Sequence, residues 1–123
     1  MTIEKRTGWA RLVAAFVNSF HGAVQTYREE EAFRQEVWLA LVLLPLAFWL
    51  EVSAAERALL VLTALLPMVV ELLNTAVEAV VDLASPEKHP LAKKAKDAAS
   101  AAVILSLLVG GGVWLVVLLP KWL

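Results

Sequence analysis

From Ala58 to Val81 the chain runs through 24 residues interrupted only by Thr63, Glu71, Asn74, Thr75 and Glu78. A second run, Ala98–Leu119, is broken only by Ser100, Ser106 and Gly110-Gly111-Gly112. A helix needs about 20 mostly apolar residues to cross a bilayer, so both stretches are long enough. A third, Val37–Leu50, has fourteen residues including Pro45, and must borrow Ala32–Glu36 or lie where the bilayer is thin. Of the 123 residues, 60% are apolar, against about 45–50% in an average soluble domain. A soluble domain this small has too much surface to hide that much hydrocarbon. The sequence therefore predicts an all-α protein integral to the membrane, one domain over residues 1–123, with spans near 32–50, 54–84 and 92–119. The same composition excludes disorder. The absence of cysteine excludes a disulfide scaffold or thiolate metal site. A net charge of −1 argues against nucleic acid as a partner.

The N-terminal part has a different pattern. Trp9, Leu12, Val13, Phe16, Val17, Phe20, Val24 and Tyr27 recur at helical spacing, with Arg11, Asn18, His21, Gln25 and Arg28 on the other side. This predicts an amphipathic helix over about residues 6–28, lying on the membrane surface. Ser53-Ala54-Ala55-Glu56 fits a capping box that starts the second span, and Ser85-Pro86 stops it. Pro45 and Pro67 fall inside spans, where kinks without breaks are expected. The first apolar run begins too late to read as a signal peptide.

Lysine and arginine set the expected orientation. Lys5, Arg6, Arg11, Arg28 and Arg34 precede the first span, and Lys88, Lys93, Lys94 and Lys96 lie between the second and third. Only Arg57 and Lys121 fall on the other side. Nine of the eleven basic residues thus mark one side as cytoplasmic, with the N-terminus inside and the C-terminus outside. Trp38, Trp49, Trp114 and Trp122 suit the interfaces.

The second span carries the chemistry. Glu71, Asn74, Glu78 and Asp82 are separated by 3, 4 and 4 residues, and at about 100° per residue they share one face. A carboxylate at a span centre costs on the order of 2.5–3.5 kcal/mol, so two glutamates and an asparagine on one face point to a use. A polar seam that glues helices is the alternative, although paired glutamates repel. Glu78 and Asp82 lie toward the cytoplasmic surface, where a hard cation such as Mg²⁺ meets oxygen ligands. Glu71 is about 10 Å deeper, a drier position suited to taking a proton from a lipid headgroup.

Two further clusters flank this face. In Glu29-Glu30-Glu31-Ala32-Phe33-Arg34-Gln35-Glu36, Glu29 and Glu31 read as a solvated turn, while Glu30 can complete a metal site with Glu78 if the surface helix folds back. In Glu87-Lys88-His89-Pro90-Leu91-Ala92-Lys93-Lys94-Ala95-Lys96-Asp97, a positive-inside loop explains Lys88, Lys93 and Lys94. Lys96-Asp97 is more specific: a lysine there can hold a phosphate while an aspartate orients a donor. His89 is as well explained by plain surface. No G-x-x-x-x-G-K-[ST] loop or protein-kinase signature is present, and Gly110–Gly112 more readily permits close helix approach or flexibility.

Glu71-Leu72-Leu73-Asn74-Thr75-Ala76-Val77-Glu78-Ala79-Val80-Val81-Asp82 resembles the E-x-x-N-[ST]-A-[IV]-E-x-x-V-D signature of the small bacterial diacylglycerol kinase family. Glu31–Glu36 and Ala95–Val103 resemble two further blocks, and the match is collinear from about Gly8 to about Pro120. The resemblance implies a homotrimer with three spans per chain, a surface helix, and sites between subunits. It implies direct transfer of the ATP γ-phosphoryl to a lipid hydroxyl at the cytoplasmic face of the bacterial inner membrane, with Mg²⁺. Glu71 matches the general base, and Glu30 and Glu78 match carboxylates that hold the divalent ion with ATP. Arg11, Lys96 and Asp97 match nucleotide contacts, and Glu87, Lys88 and His89 a loop beside the nucleotide. Asn18 stands at a nucleotide-side position where members often carry tyrosine. Asn74 and Ser100, with Glu36, match polar positions near Glu71 and the lipid head. Glu30 to Glu36 resembles the diacylglycerol branch, whereas Asp82-Leu83-Ala84-Ser85 and Leu119-Pro120-Lys121-Trp122 resemble the undecaprenol branch. Diacylglycerol is the expected acceptor, giving phosphatidic acid, and undecaprenol the alternative.

Two other classes remain open on the residues alone. A proton- or ion-translocating subunit also places carboxylates in spans, but needs neither Lys96-Asp97 at the mouth nor Glu30 and Glu78 near the surface. A purely structural helical protein is the third reading.

Overall fold

The computed structural model describes residues 7–122. Lys5 and Arg6, and the expected start of the surface helix at residue 6, lie outside the described residues. Four helices follow one another: α1 (Gly8–Glu29), α2 (Glu31–Trp49), α3 (Ala54–Ala84) and α4 (Pro90–Trp122). The last three are long and apolar enough to cross a membrane. α2 does begin at Glu31, gathering the polar turn that the short apolar run needs to reach span length. Pro45 and Pro67 sit inside α2 and α3, and both helices run through them unbroken.

Each junction has an identifiable cause. A single extended residue, Glu30, separates α1 from α2. The last carbonyls of α1 lack helical partners, and Arg34 supplies them: its Nη1 donates to the carbonyls of Tyr27 (2.8 Å) and Arg28 (2.9 Å). At the start of α3 the expected capping box is present. Ser53 Oγ accepts from the Glu56 amide (3.1 Å), and Glu56 Oε1 accepts from the Ser53 amide (3.0 Å). Arg57, one residue on, donates from Nη1 to the Ala47 carbonyl at 2.6 Å, tying the last turn of α2 to the first of α3. α3 ends at Ala84, with Ser85 Oγ donating to the Glu87 carbonyl (2.8 Å). Pro90 then opens α4, a first-turn position where its missing N–H costs nothing. His89 caps that turn, its Nδ1 accepting from the Leu91 amide (3.1 Å).

α3 is the middle layer. It packs on α4 along most of its length and on α2 along its other side, while α2 and α4 make no direct backbone approach among the described residues. A third of the most apolar window of α3 is buried, against 22% in α2 and 17% in α4. α1 touches α2 and α3, and among its described residues Thr26, near the C-terminal end, is the buried one. Trp9, Phe16 and Phe20 on α1 are exposed, as are many leucines and valines on the spans. A lone chain therefore buries little of its hydrocarbon. The apolar core proper is small: Ala47, Leu60 and Val117 join the far ends of α2, α3 and α4, with Leu50, Val52, Val61, Val113, Trp114 and Leu118 around them. Midway along the α3–α4 seam, Gly110 lies over Thr63. A Cβ at Gly110 would stand 3.3 Å from the Thr63 carbonyl oxygen, so glycine is what allows the two backbones to approach.

Candidate active site

The polar face of α3 is turned inward, toward α2. Glu71 is 4% exposed and Asn74 8%, and Glu36 of α2 is 7% exposed. Asn74 Nδ2 donates to Glu78 Oε1 at 3.1 Å and, more weakly, to Glu71 Oε1 at 3.5 Å. The asparagine therefore spans the two glutamates, which the 3–4 spacing on one helix face makes possible. Glu71 repels Glu36, Glu78 and the half-buried Glu30 at the α1–α2 junction. Four carboxylates from two helices and one junction thus belong to one acidic cluster. Their net repulsion favours a cation or a shared proton.

Several atoms here have no partner. Glu36 Oε2, Asn74 Oδ1 and Thr75 Oγ1 are buried without a hydrogen bond. Such groups cost free energy in a dry setting, so this end of the molecule is suited to receive a hydroxyl or another polar ligand. Among the described residues, no three His, Asp or Glu side chains converge tightly enough to hold a metal by themselves. A divalent ion is also bound through one or two carboxylates plus substrate phosphates, a mode that needs no closed cage of side chains.

A second element of the site is a cavity of about 670 Å³ where α3 meets α4. Glu87, Lys88, His89, Lys96 and Asp97 all line it, so this subset of the expected nucleotide positions is brought together within one chain. Within it Lys96 and Asp97 do not pair with each other. Consecutive helical residues point about 100° apart and do not face each other. Asp97 instead pairs with Lys93 one turn back (2.5 Å), and Lys96 reaches across to Asp82 on α3.

The remaining positions are not gathered. Arg11 and Asn18 are exposed on α1, although Asn18 borders a shallow hollow with Ala10, Val13, Ala14 and Val17. Ser100 is exposed on α4. The Lys96–Asp82 and Gly110–Thr63 pairs fix an antiparallel register that sets Ser100 between the levels of Asn74 and Glu78. The sequence reading missed the Asp82–Lys96 tie and the Arg34 cap. The first was detectable only from the α3–α4 hairpin register, the second from a basic residue just beyond a helix end.

An all-helical membrane protein with buried carboxylates beside a lysine-lined mouth is thereby defined, and comparison with known proteins gives it a family. Residues 17–118 match the model of prokaryotic diacylglycerol kinase. The chain is 48% identical over 114 residues to a diacylglycerol kinase of Pseudomonas aeruginosa, covering 93% of both chains. It is 41% identical over 112 residues to that of Escherichia coli K12, covering 91% of this chain and 92% of the relative. It is 44% identical over 110 residues to that of Helicobacter pylori 26695, covering 89% and 86%. The chain belongs to the prokaryotic diacylglycerol kinase family. With three spanning helices and bacterial relatives, it is a bacterial membrane protein.

Proposed function

We propose that this chain transfers the γ-phosphoryl group of ATP to the free hydroxyl of diacylglycerol, giving phosphatidic acid and ADP. The observation that carries the reading is the Asn74 amide donating to both Glu71 and Glu78 within a buried acidic cluster. One carboxylate of the linked pair is buried and the other is half-exposed one turn before Asp82, which lines the cavity, and this is the division that proton removal and phosphate neutralisation require. Glu71 accepts the hydroxyl proton as the oxygen attacks the γ-phosphorus and the bond to the ADP oxygen breaks. Asn74 Oδ1 and Glu36 Oε2, which lack donors, orient the lipid headgroup, and Ser100 lies at the same level.

Glu30 and Glu78 are the carboxylates suited to hold Mg²⁺ with ATP. The ion, when bound, supplies neutralisation of the polyphosphate charge. Lys96 meets the phosphates from α4, and Glu87, Lys88, His89 and Asp97 bound the nucleotide from the loop side. Phosphoryl transfer asks mainly for positioning and charge neutralisation, so it needs no nucleotide-binding fold of its own.

Arg11 and Asn18 reach a nucleotide only if α1 meets a site beyond its own bundle. The family resemblance implies a homotrimer in which sites form between subunits, with α1 along the cytoplasmic surface of the inner membrane, and such an assembly would bring a neighbour's groups to α1. The lysines and arginines flanking the mouth support a cytoplasmic N-terminus and site, with the C-terminus outside.

Diacylglycerol is favoured over undecaprenol because the relatives described above carry the former in their names. The test is ATP consumption by the purified protein in detergent with Mg²⁺, with the two lipids supplied in separate reactions. Faster turnover with diacylglycerol is expected. Faster turnover with undecaprenol reassigns the acceptor. No lipid-dependent turnover from folded protein overturns the kinase reading and favours ion translocation.

A further inference from the structure

Of the three lysines that line the α3–α4 cavity, Lys93 and Lys96 pair with its two aspartates. Lys93 and Asp97 lie one turn apart on α4 and satisfy each other. Asp97 is thereby occupied, and the ammonium of Lys96 turns across the seam to Asp82 on α3. Asp82 stands one turn beyond Glu78 on the same face, and Lys96 also feels the Glu78 charge. The lysine is thus tied to α3 one turn beyond Glu78, while part of its side chain stays open to solvent.

We propose that Asp82 is a positioning residue for Lys96, fixing its ammonium group at the Glu78 side of the cavity, where a nucleotide polyphosphate enters. This rests on the reading that Lys96 meets the phosphates. A lysine ammonium has three N–H donors. Asp82 engages one and leaves two for phosphate oxygens, so ion pair and nucleotide contact are compatible. A free lysine side chain must lose rotamer freedom when it binds phosphate, and Asp82 removes part of that cost beforehand. Glu78 attracts the same ammonium, but the direct ion pair is with Asp82. The ion pair is solvent-exposed, with 42% and 64% of the two side chains accessible. Such pairs contribute little to overall stability, so Asp82 can be altered without endangering the fold.

The experiment uses the full chain in detergent micelles, with Asp82→Asn, Asp82→Glu, Lys96→Met and the Asp82→Asn/Lys96→Met double variant. KM for MgATP and for lipid is measured where turnover allows, and MgATP binding by calorimetry in all four. Asp82→Asn is expected to weaken MgATP about 1.5- to fivefold, the range of an exposed charge pair's coupling, with the lipid KM unchanged. Asp82→Glu recovers most of the affinity, and Asp82→Asn adds nothing once Lys96 is methionine. Unchanged or tighter MgATP binding in Asp82→Asn overturns the proposal, as does an equal loss with and without Lys96. If Lys96→Met itself binds MgATP normally, the assignment of Lys96 to the nucleotide fails and the proposal with it.

Discussion

The two ends of the α2–α3–α4 layer are built on opposite terms. At the end that joins α2 to α3, apolar side chains meet around Leu60, and Ser53 pairs with Glu56, Arg57 with the Ala47 carbonyl and Lys121 with Glu56 at 3.4 Å, the buried Trp114 Nε1 alone among the described groups there lacking a partner. At the end that joins α3 to α4, carboxylates repel one another and buried oxygens lack partners. Consistency of pairing marks a segment that only has to hold its shape, and local conflict marks one that works. Lipid tails are as apolar as leucine, so the helices are held by close packing and hydrogen bonds more than by expulsion of water. The paired end therefore anchors a hairpin whose other end tolerates strain.

The largest effect that separates the ends is expected at Glu71. Replacing it with glutamine keeps the shape and the Asn74 neighbour but removes the proton acceptor. Lipid-dependent turnover should fall by about 10²–10⁴-fold, the usual worth of a general base. Thermal unfolding should stay close to that of the parent, because a carboxylate is lost from a repelling cluster. Full activity in the glutamine variant removes Glu71 as the base and makes the polar face of α3 a packing seam.

How far these ends could be read in the sequence follows the same division. Ser53-Ala54-Ala55-Glu56 shows the α3 start because a capping box is local chemistry, complete within four residues. Glu71, Asn74 and Glu78 share a face for an equally local reason, the period of the helix. Lys96 is different. Its partner lies 14 residues away on another helix, and only the antiparallel register determines it. The buried state of Glu36 likewise depends on how α2 lies on α3, which no spacing within Glu31–Glu36 encodes. Arg11 and Asn18 show the remaining boundary: residue pattern puts them on the polar side of a helix, but not beside the groups the family resemblance assigns them to.

At the paired end the next effect in size is on stability alone. Leu60 is fully buried where α2, α3 and α4 converge, and Leu60→Ala leaves a cavity among Ala47, Val117 and their neighbours. Core truncations of this kind cost about 2–5 kcal/mol, so the midpoint of thermal or denaturant unfolding in detergent should drop clearly. At temperatures where the variant stays folded, its KM for MgATP should be unchanged, because the nucleotide cavity is lined from the other end of α3. A shift in MgATP KM larger than the fall in folded fraction explains would mean that the two ends are coupled along α3.

The smallest effect tests whether the pairing at this end is local or shared. Ser53→Ala removes the acceptor for the Glu56 amide and should cost about 1 kcal/mol, as lost helix caps do. Glu56, however, also meets Lys121 from α4. If the capping box merely starts α3, the loss measured in Ser53→Ala should be the same in a Lys121→Met background. If Ser53 also holds Glu56 in place for Lys121, the two losses will not add, since groups sharing a partner couple energetically. Non-additivity would make the junction a three-membered clasp binding α3 to the end of α4. Additivity would leave the small apolar cluster around Leu60 as the principal tie between the three helices there.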